Sequence, residues 1–265
     1  MNKAEHFKSG FVAVVGRPNV GKSTMINALI GDKIAIVSDK AQTTRNRIIC
    51  VYTDEEKQIV FMDTPGVHKP KHKLGEFMVD AAIESLKETE AVLFVVAGNE
   101  KRGPGDNFII EQLKRVKVPV FLVVNKIDTL QKEQVLEAIV SYQDAYPFAG
   151  VIPISAKNKE NLSELLNVLG EHLPEGPQYF PEDMITDQPE RLIISDIVRE
   201  KILLSTRDEI PHAIAVDVDE MKTRDDGTTY IRATIYCERD SQKGIIIGKK
   251  GALLKQLGAE ARADI

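Results

Sequence analysis

The sequence predicts an α/β protein in two parts: a larger domain with a mostly parallel sheet and one antiparallel hairpin, then a smaller α+β domain. Three observations predict this. Short, nearly continuous apolar runs alternate with longer helical patterns through the first two-thirds of the chain, as expected when helices cover both faces of a parallel sheet. A stretch with four prolines and several acidic residues, PEGPQYFPEDMITDQPE, then breaks all periodicity. Beyond it the pattern changes to one helix followed by two alternating strands.

Taken in order, the apolar runs of the first part are residues 11–15, 59–62, 92–96, 120–124 and 151–154. Between positions 47 and 62 two strand-like segments flank Asp54-Glu55-Glu56-Lys57, a polar turn too short for a crossover helix, so this pair reads as an antiparallel hairpin. The last helical run of the first part ends near Leu173, and the proline-rich stretch reads as an interdomain linker. Beyond it Ile193, Ile197, Val198 and Leu204 recur at helical spacing, and Ile214, Val216 and Val218 then alternate with Asp217 and Asp219. Over 228–237, Ile231, Ala233, Ile235 and Cys237 share one strand face, and Tyr230, Arg232, Thr234 and Tyr236 share the other. A helical pattern resumes after Gly251. The expected boundaries are therefore 1–173, a linker over 174–190, and a second domain over 191–265.

Composition narrows the function classes. Lys and Arg number 35 against 40 Asp and Glu, for a formal charge of −5. No overall basic field exists to drive non-specific nucleic-acid binding, so any RNA contact must come from a local patch. Cys50 and Cys237 lack metal-ligand spacing and read as two buried free thiols. The start MNKAEHFKSG lacks the apolar stretch of a signal peptide, and no run approaches the roughly 20 residues needed to span a bilayer. The expectation is a soluble, cytoplasmic protein. In that setting the sequon Asn161-Leu162-Ser163 is a chance match.

Gly16-Arg17-Pro18-Asn19-Val20-Gly21-Lys22-Ser23 fits G-x-x-x-x-G-K-[ST] between an expected strand and an expected helix, with Thr24 continuing the segment. Glycines at those positions let backbone N–H groups curl around a phosphate oxygen, and the helix start adds its positive end. Lys22 is expected to reach the β- and γ-phosphates, and Ser23 to ligate Mg²⁺. Asp63-Thr64-Pro65-Gly66 closes the 59–62 strand. There a carboxylate can hold the magnesium through water, and the Gly66 N–H can meet the γ-phosphate, which makes this loop a switch. Asn125-Lys126-Ile127-Asp128 follows the 120–124 run and selects the base. Asp128 can accept from guanine N1–H and the 2-amino group, neither of which adenine offers, so an unpaired aspartate would reject adenine. Lys126 would lay its stem along the base, and Asn125 would tie this loop to the phosphate loop. Ser155-Ala156-Lys157 follows the last strand, where a backbone N–H can meet the guanine 6-oxo group.

In this order and spacing the motifs resemble the GTPase superfamily. Gln42-Thr43-Thr44-Arg45 looks like the first switch of the branch that holds the Era and tRNA-modification GTPases. By that resemblance Thr44, with Thr43 as the alternative, meets Mg²⁺ and the γ-phosphate, so Lys22, Thr44 and Gly66 are the expected catalytic groups. Val67 stands where many relatives carry a water-orienting glutamine, which implies slow intrinsic turnover resting on Mg²⁺, Lys22 and switch closure. In similar GTPases an asparagine at the place of Asn19 helps hold K⁺, so potassium with Asn19 as a ligand is one expectation and a role for Asn19 in structuring the loop is the other. The run from His68 to Lys73 reads by default as a solvated polar loop, with a nucleotide-dependent RNA contact as the sharper alternative.

Ile246-Ile247-Gly248-Lys249-Lys250-Gly251 matches the I-I-G-x-x-G core of KH domains. Gly248 and Gly251 would let the backbone approach a sugar-phosphate chain, Lys249 and Lys250 would supply charge, and Lys243 and Lys255 would extend the patch. Alone, G-x-x-G is often a turn; the preceding helix-strand-strand order is similar to a type II KH domain. Together the two halves resemble the bacterial Era family over nearly the whole chain. A type II KH domain carries another strand after this last helix, so the domain is expected to be C-terminally incomplete at Ile265. The resemblance implies GTP hydrolysis to GDP, coupled to binding of small-subunit (16S) ribosomal RNA in assembly of the small ribosomal subunit. Peripheral association with the inner face of the cell membrane is a further expectation. The alternative is an RNA-binding module with nucleotide as an allosteric ligand and incidental turnover. An ATP-dependent metabolic enzyme is disfavoured by Asn125 to Asp128 and by the lack of a second substrate constellation.

Overall fold

Strand β1 (Lys8–Val15) is buried at every position except Lys8 and Phe11, and β4 (Ala91–Ala97) and β5 (Val120–Asn125) are buried throughout. Burial on both faces is what a strand in the middle of a helix-covered sheet experiences. The computed structural model describes residues 6–36, 48–63, 86, 88–206 and 213–265. Its six-stranded sheet runs β2-β3-β1-β4-β5-β6, where β2 is Ile48–Thr53, β3 Lys57–Asp63 and β6 Gly150–Pro153. Only β2 and β3 pair antiparallel; every other neighbour pair is parallel. The hairpin turn forms because an Asp54 carboxylate oxygen accepts from the backbone N–H of Glu56 and of Lys57, each at 2.8 Å, an aspartate turn built into the sequence.

Helices α1 (Lys22–Ile30), α2 (Pro104–Leu113), α3 (Lys132–Gln143) and α4 (Leu162–His172) belong to the same unit. Leu162, Leu165, Leu166 and Leu169 of α4 are buried, a stripe at helical spacing. The apolar core gathers Val92, Phe94 and Val96 of β4 with Ile109, Ile110 and Tyr142. Each such fully buried large side chain contributes about 2 kcal/mol of transfer free energy. The parallel strands β1, β3, β4, β5 and β6 end on one side of the sheet, so the loops after them converge there, where α/β sheets bind ligands.

The chain divides into two units: Met1–Asp32 with Thr44–Asp187, and Lys33–Thr43 with Gln188–Ile265. The proline-rich stretch is tied to the first unit as far as Asp187. Gln58, fully buried on β3, accepts from the backbone N–H of Tyr179 and Phe180 and donates to the Phe180 carbonyl at 2.8, 3.0 and 2.9 Å. Val51 donates to the Ile185 carbonyl at 2.9 Å, and the Ser9 hydroxyl to that of Pro177 at 2.7 Å.

In the second unit α5 (Glu190–Ser205) precedes the antiparallel pair β7 (Ile214–Thr223) and β8 (Thr229–Cys237). Helix α6 (Asp240–Ile247), a 3-10 turn (Lys249–Gly251) and α7 (Ala252–Asp264) follow. Ile202, Ile214, Ile246 and Leu257 form its core. Helix α6 is an addition to the sequence-based reading: only Gln242 and Ile246 are buried in it, so it carries no periodic signal. Cys50 is buried as expected, but Cys237 is only partly so, because it ends its strand at the margin of this small core.

Candidate nucleotide-binding site

The loop between β1 and α1 is shaped by two close approaches. A Cβ on Gly16 would stand 2.4 Å from the Val95 carbonyl oxygen, and one on Gly21 would stand 2.2 Å from Asn125 Nδ2. Gly21 also has φ +96°, in the left-handed region that glycine tolerates. Both glycines of the motif are therefore fixed by space, and Gly21 by conformation as well. Lys22, at 8% exposure, donates from Nζ to the carbonyls of Gly16 at 3.0 Å and Arg17 at 2.9 Å. Its ammonium is thus held over the loop mouth by the loop's own backbone. Val20 is buried and Asn19 exposed, while Pro18, Ser23 and Thr24 lie between these extremes. Ser23 and Thr24 stand in the first turn of α1.

Asn125 joins three loops. Its Nδ2 donates to the Val20 carbonyl at 2.9 Å, and its Oδ1 accepts from the backbone N–H of Lys126 at 2.8 Å and Ala156 at 3.0 Å. It is 2% exposed, so each bond forms away from competing water. Lys126 adopts φ +67°, a conformation that costs a non-glycine residue on the order of 1 kcal/mol and recurs at ligand sites. Asp128, exposed at the mouth, accepts from the Ser155 hydroxyl at 2.7 Å. Ser155 is fully buried, Ala156 nearly so, and Lys157 exposed. Asp63 ends β3 beside Val14 of β1. The structure therefore brings the phosphate loop, the Asn125–Asp128 loop and the Ser155–Lys157 loop together. Thr43, Thr44, Thr64, Pro65 and Gly66 lie outside the described residues, as do Val67 and the run from His68 to Lys73.

Sequence reasoning missed the surroundings of Arg17. Its Nε donates to Asp106 Oδ1 at 2.8 Å and its Nη2 to Glu100 Oε2 at 2.9 Å. Partial burial opposes the guanidinium charge, but the bond to Asp106 and the two carboxylates outweigh it and raise its pKa. Asp106 and Glu100 lie 89 and 83 positions away in sequence, so no local pattern announces them.

In the second unit Gly248 has φ +70°, and a Cβ there would meet Leu253 Cβ at 2.8 Å. Lys250 and Gly251 are also left-handed, at φ +55° and +78°. The loop therefore turns tightly into α7, and Lys243, Lys249, Lys250 and Lys255 are all exposed around it.

A phosphate loop, a base loop of the Asn-Lys-x-Asp type and a separate unit with a glycine-lysine loop define a GTPase with an appended KH domain. The family models agree: that of 50S ribosome-binding GTPases matches residues 11–126, and that of KH domains matches residues 209–265. Two solved structures are similar over nearly the whole chain. One is Era in complex with MgGDPNP and nucleotides 1506–1542 of 16S ribosomal RNA, 43% identical at a TM-score of 0.89, covering 98% of this chain and 88% of that one. The other is a tyrosine-to-alanine variant of Era from Aquifex aeolicus bound to GDP·AlF4⁻. It is 44% identical at a TM-score of 0.89, covering 97% of this chain and 88% of that one. The chain belongs to the Era family of GTPases.

Proposed function

We propose that this GTPase binds Mg²⁺·GTP at the three converging loops, hydrolyses it slowly, and uses nucleotide state to control binding of 16S ribosomal RNA during small-subunit assembly. The observation that carries the nucleotide half is Asn125, which holds the phosphate loop, base loop and Ser155 loop in one register. With that register set, Asp128 accepts from guanine N1–H and the 2-amino group, and a backbone N–H of Ser155–Lys157 meets the 6-oxo group. Lys22 exchanges its carbonyl partners for β- and γ-phosphate oxygens, a cation moved onto the charge that develops during transfer.

The chain's donors suit magnesium. Ser23 in the first turn of α1 and Asp63 at the end of β3 supply one hydroxyl and one carboxylate, the sparse set typical of an ion held mainly by phosphates and water. Ser23, Thr44 and, through water, Asp63 would hold it, with Gly66 contacting the γ-phosphate. When bound, the ion neutralises charge on the β- and γ-oxygens. Potassium with Asn19 as a ligand belongs to the same proposal. Turnover in KCl should exceed that in NaCl at matched ionic strength; equal rates would exclude it.

The RNA half rests on the exposed lysines around Gly248–Gly251 and on family membership, since the Era structure named above holds a 16S fragment. No helix among the described residues is long and apolar enough to cross a membrane; peripheral membrane association stays part of the proposal, testable by vesicle flotation.

Base selection gives a sharp test. Asp128→Asn replaces two acceptors by one acceptor and one donor, a set that fits the 2-oxo group of xanthine. We expect GTP affinity to fall at least a hundredfold while XTP gains; undiminished GTP binding would refute the assignment.

A further inference from the structure

We infer that Asp106 is a positioning residue of the nucleotide site, acting on the phosphate loop through Arg17. Asp106 stands in the first turn of α2, outside the three nucleotide loops, and its carboxylate has no solvent exposure. One oxygen accepts from Arg17 Nε at 2.8 Å, and the other from the Gly103 backbone N–H at 2.8 Å. A carboxylate buried to this degree is costly unless charge-paired, so the pair fixes both partners in one geometry. Gly105 makes room for it: a Cβ there would meet Arg17 Cδ at 2.8 Å.

Arg17 connects this clamp to the chemistry. Its side chain is held by Asp106, while its backbone carbonyl is one of the two that hold Lys22 Nζ. The position of that carbonyl, and with it the curvature of the phosphate cradle, is set by a buried charge in α2. Glu100 extends the link. One of its oxygens takes Arg17 Nη2 at 2.9 Å, and the other lies 3.8 Å from Nζ of Lys126 in the base loop. The phosphate loop and the base loop thus share an acidic brace.

The cradle meets substrate and transition state alike, so loosening it weakens binding more than it slows chemistry. For Asp106→Asn, which keeps the side-chain shape and removes the charge, the expected result is a roughly tenfold rise in Kd for GDP and for GTP. Single-turnover hydrolysis at saturating GTP should stay within about twofold. GMP, which lacks the β-phosphate, should lose much less affinity than GDP. Glu100→Gln, at an exposed position, should give a smaller change in the same direction. An ion pair that only supports the fold would lower Tm and leave the GDP-to-GMP affinity ratio untouched, and that result overturns the inference. Should Asp106→Asn fail to fold, Arg17→Lys keeps the charge and loses the fork, and an unaltered ratio there is equally decisive. The inference rests on this loop binding guanine nucleotide: failure of the unsubstituted chain to bind GDP would remove both, whereas an unchanged ratio in the variants removes the clamp alone.

Discussion

Asn125 concentrates more of the site than any other single side chain described. Replacing it by alanine strands the Val20 carbonyl and the N–H groups of Lys126 and Ala156 in a buried position. Unsatisfied buried groups cost about 1–3 kcal/mol each. Asn125→Ala should therefore lower unfolding free energy by about 3 kcal/mol in urea titration and abolish measurable GDP binding; retained affinity would mean the loops hold their register without it. Tyr142 makes the opposite case. Its hydroxyl is buried without a well-formed hydrogen bond among the described residues, and burial, with the nearby Asp106 carboxylate acting by charge and as an acceptor, pushes its pKa well up. Tyr142→Phe should be neutral or stabilising by up to about 1 kcal/mol, and a loss of stability would show that the hydroxyl bonds Asp106 productively. At this scale the sequence was most legible where chemistry is local. Gly16, Gly21, Lys22, Asn125 and Asp128 lie in short motifs whose spacing reflects a loop wrapped around a ligand. Asp106 and Glu100 were illegible because ordinary acidic residues acquire their role only when the fold brings Arg17 to them.

Among the elements, the β2–β3 hairpin and the strap over 174–187 show what residue chemistry builds. Burial opposes ionisation of Asp54, but the Lys57 ammonium at 2.8 Å and the two backbone donors outweigh it and lower its pKa. A depressed carboxylate pKa gives stability that is fully present above the unfolded value, near 3.9, and is lost as pH falls through the folded value. The stability gap between the native chain and Asp54→Asn should thus be flat above about pH 5 and close below about pH 4. It should stay under about 1 kcal/mol, since the pair is partly solvated. A gap that widens in acid would contradict the assignment. Gln58→Leu removes the partner of two backbone N–H groups and one carbonyl in the strap. It should cost about 2–4 kcal/mol and open the segment to limited proteolysis within 174–187. Unchanged cleavage would show that the remaining bonds suffice. The parallel strands and the hairpin could be read from the chain because buried runs and a polar turn leave periodic marks. The strap could not, since scattered backbone and side-chain bonds hold it without a regular ladder, and α6 could not, since it buries so little.

For the whole molecule, a GTPase unit and a KH unit on one chain make nucleotide state and RNA binding candidates for thermodynamic linkage. In the proposed function Lys249 and Lys250, both exposed, carry the electrostatic share. Replacing both by alanine should weaken binding of a 16S 3′-terminal RNA about tenfold or more and reduce the salt dependence of log K by roughly 0.7 per lysine. An unaltered salt slope would place the RNA elsewhere. The two-part organisation was legible because composition breaks at the proline-rich stretch, but coupling is a difference between states and leaves no mark in spacing or periodicity. It is measured most directly by titrating one preparation of this chain with 16S 3′-terminal RNA in the presence of Mg²⁺ and either a non-hydrolysable GTP analogue or GDP. The account predicts RNA affinities that differ at least fivefold between the two nucleotides, with a reciprocal change in nucleotide affinity when RNA is bound. Identical RNA affinity in both states would contradict it.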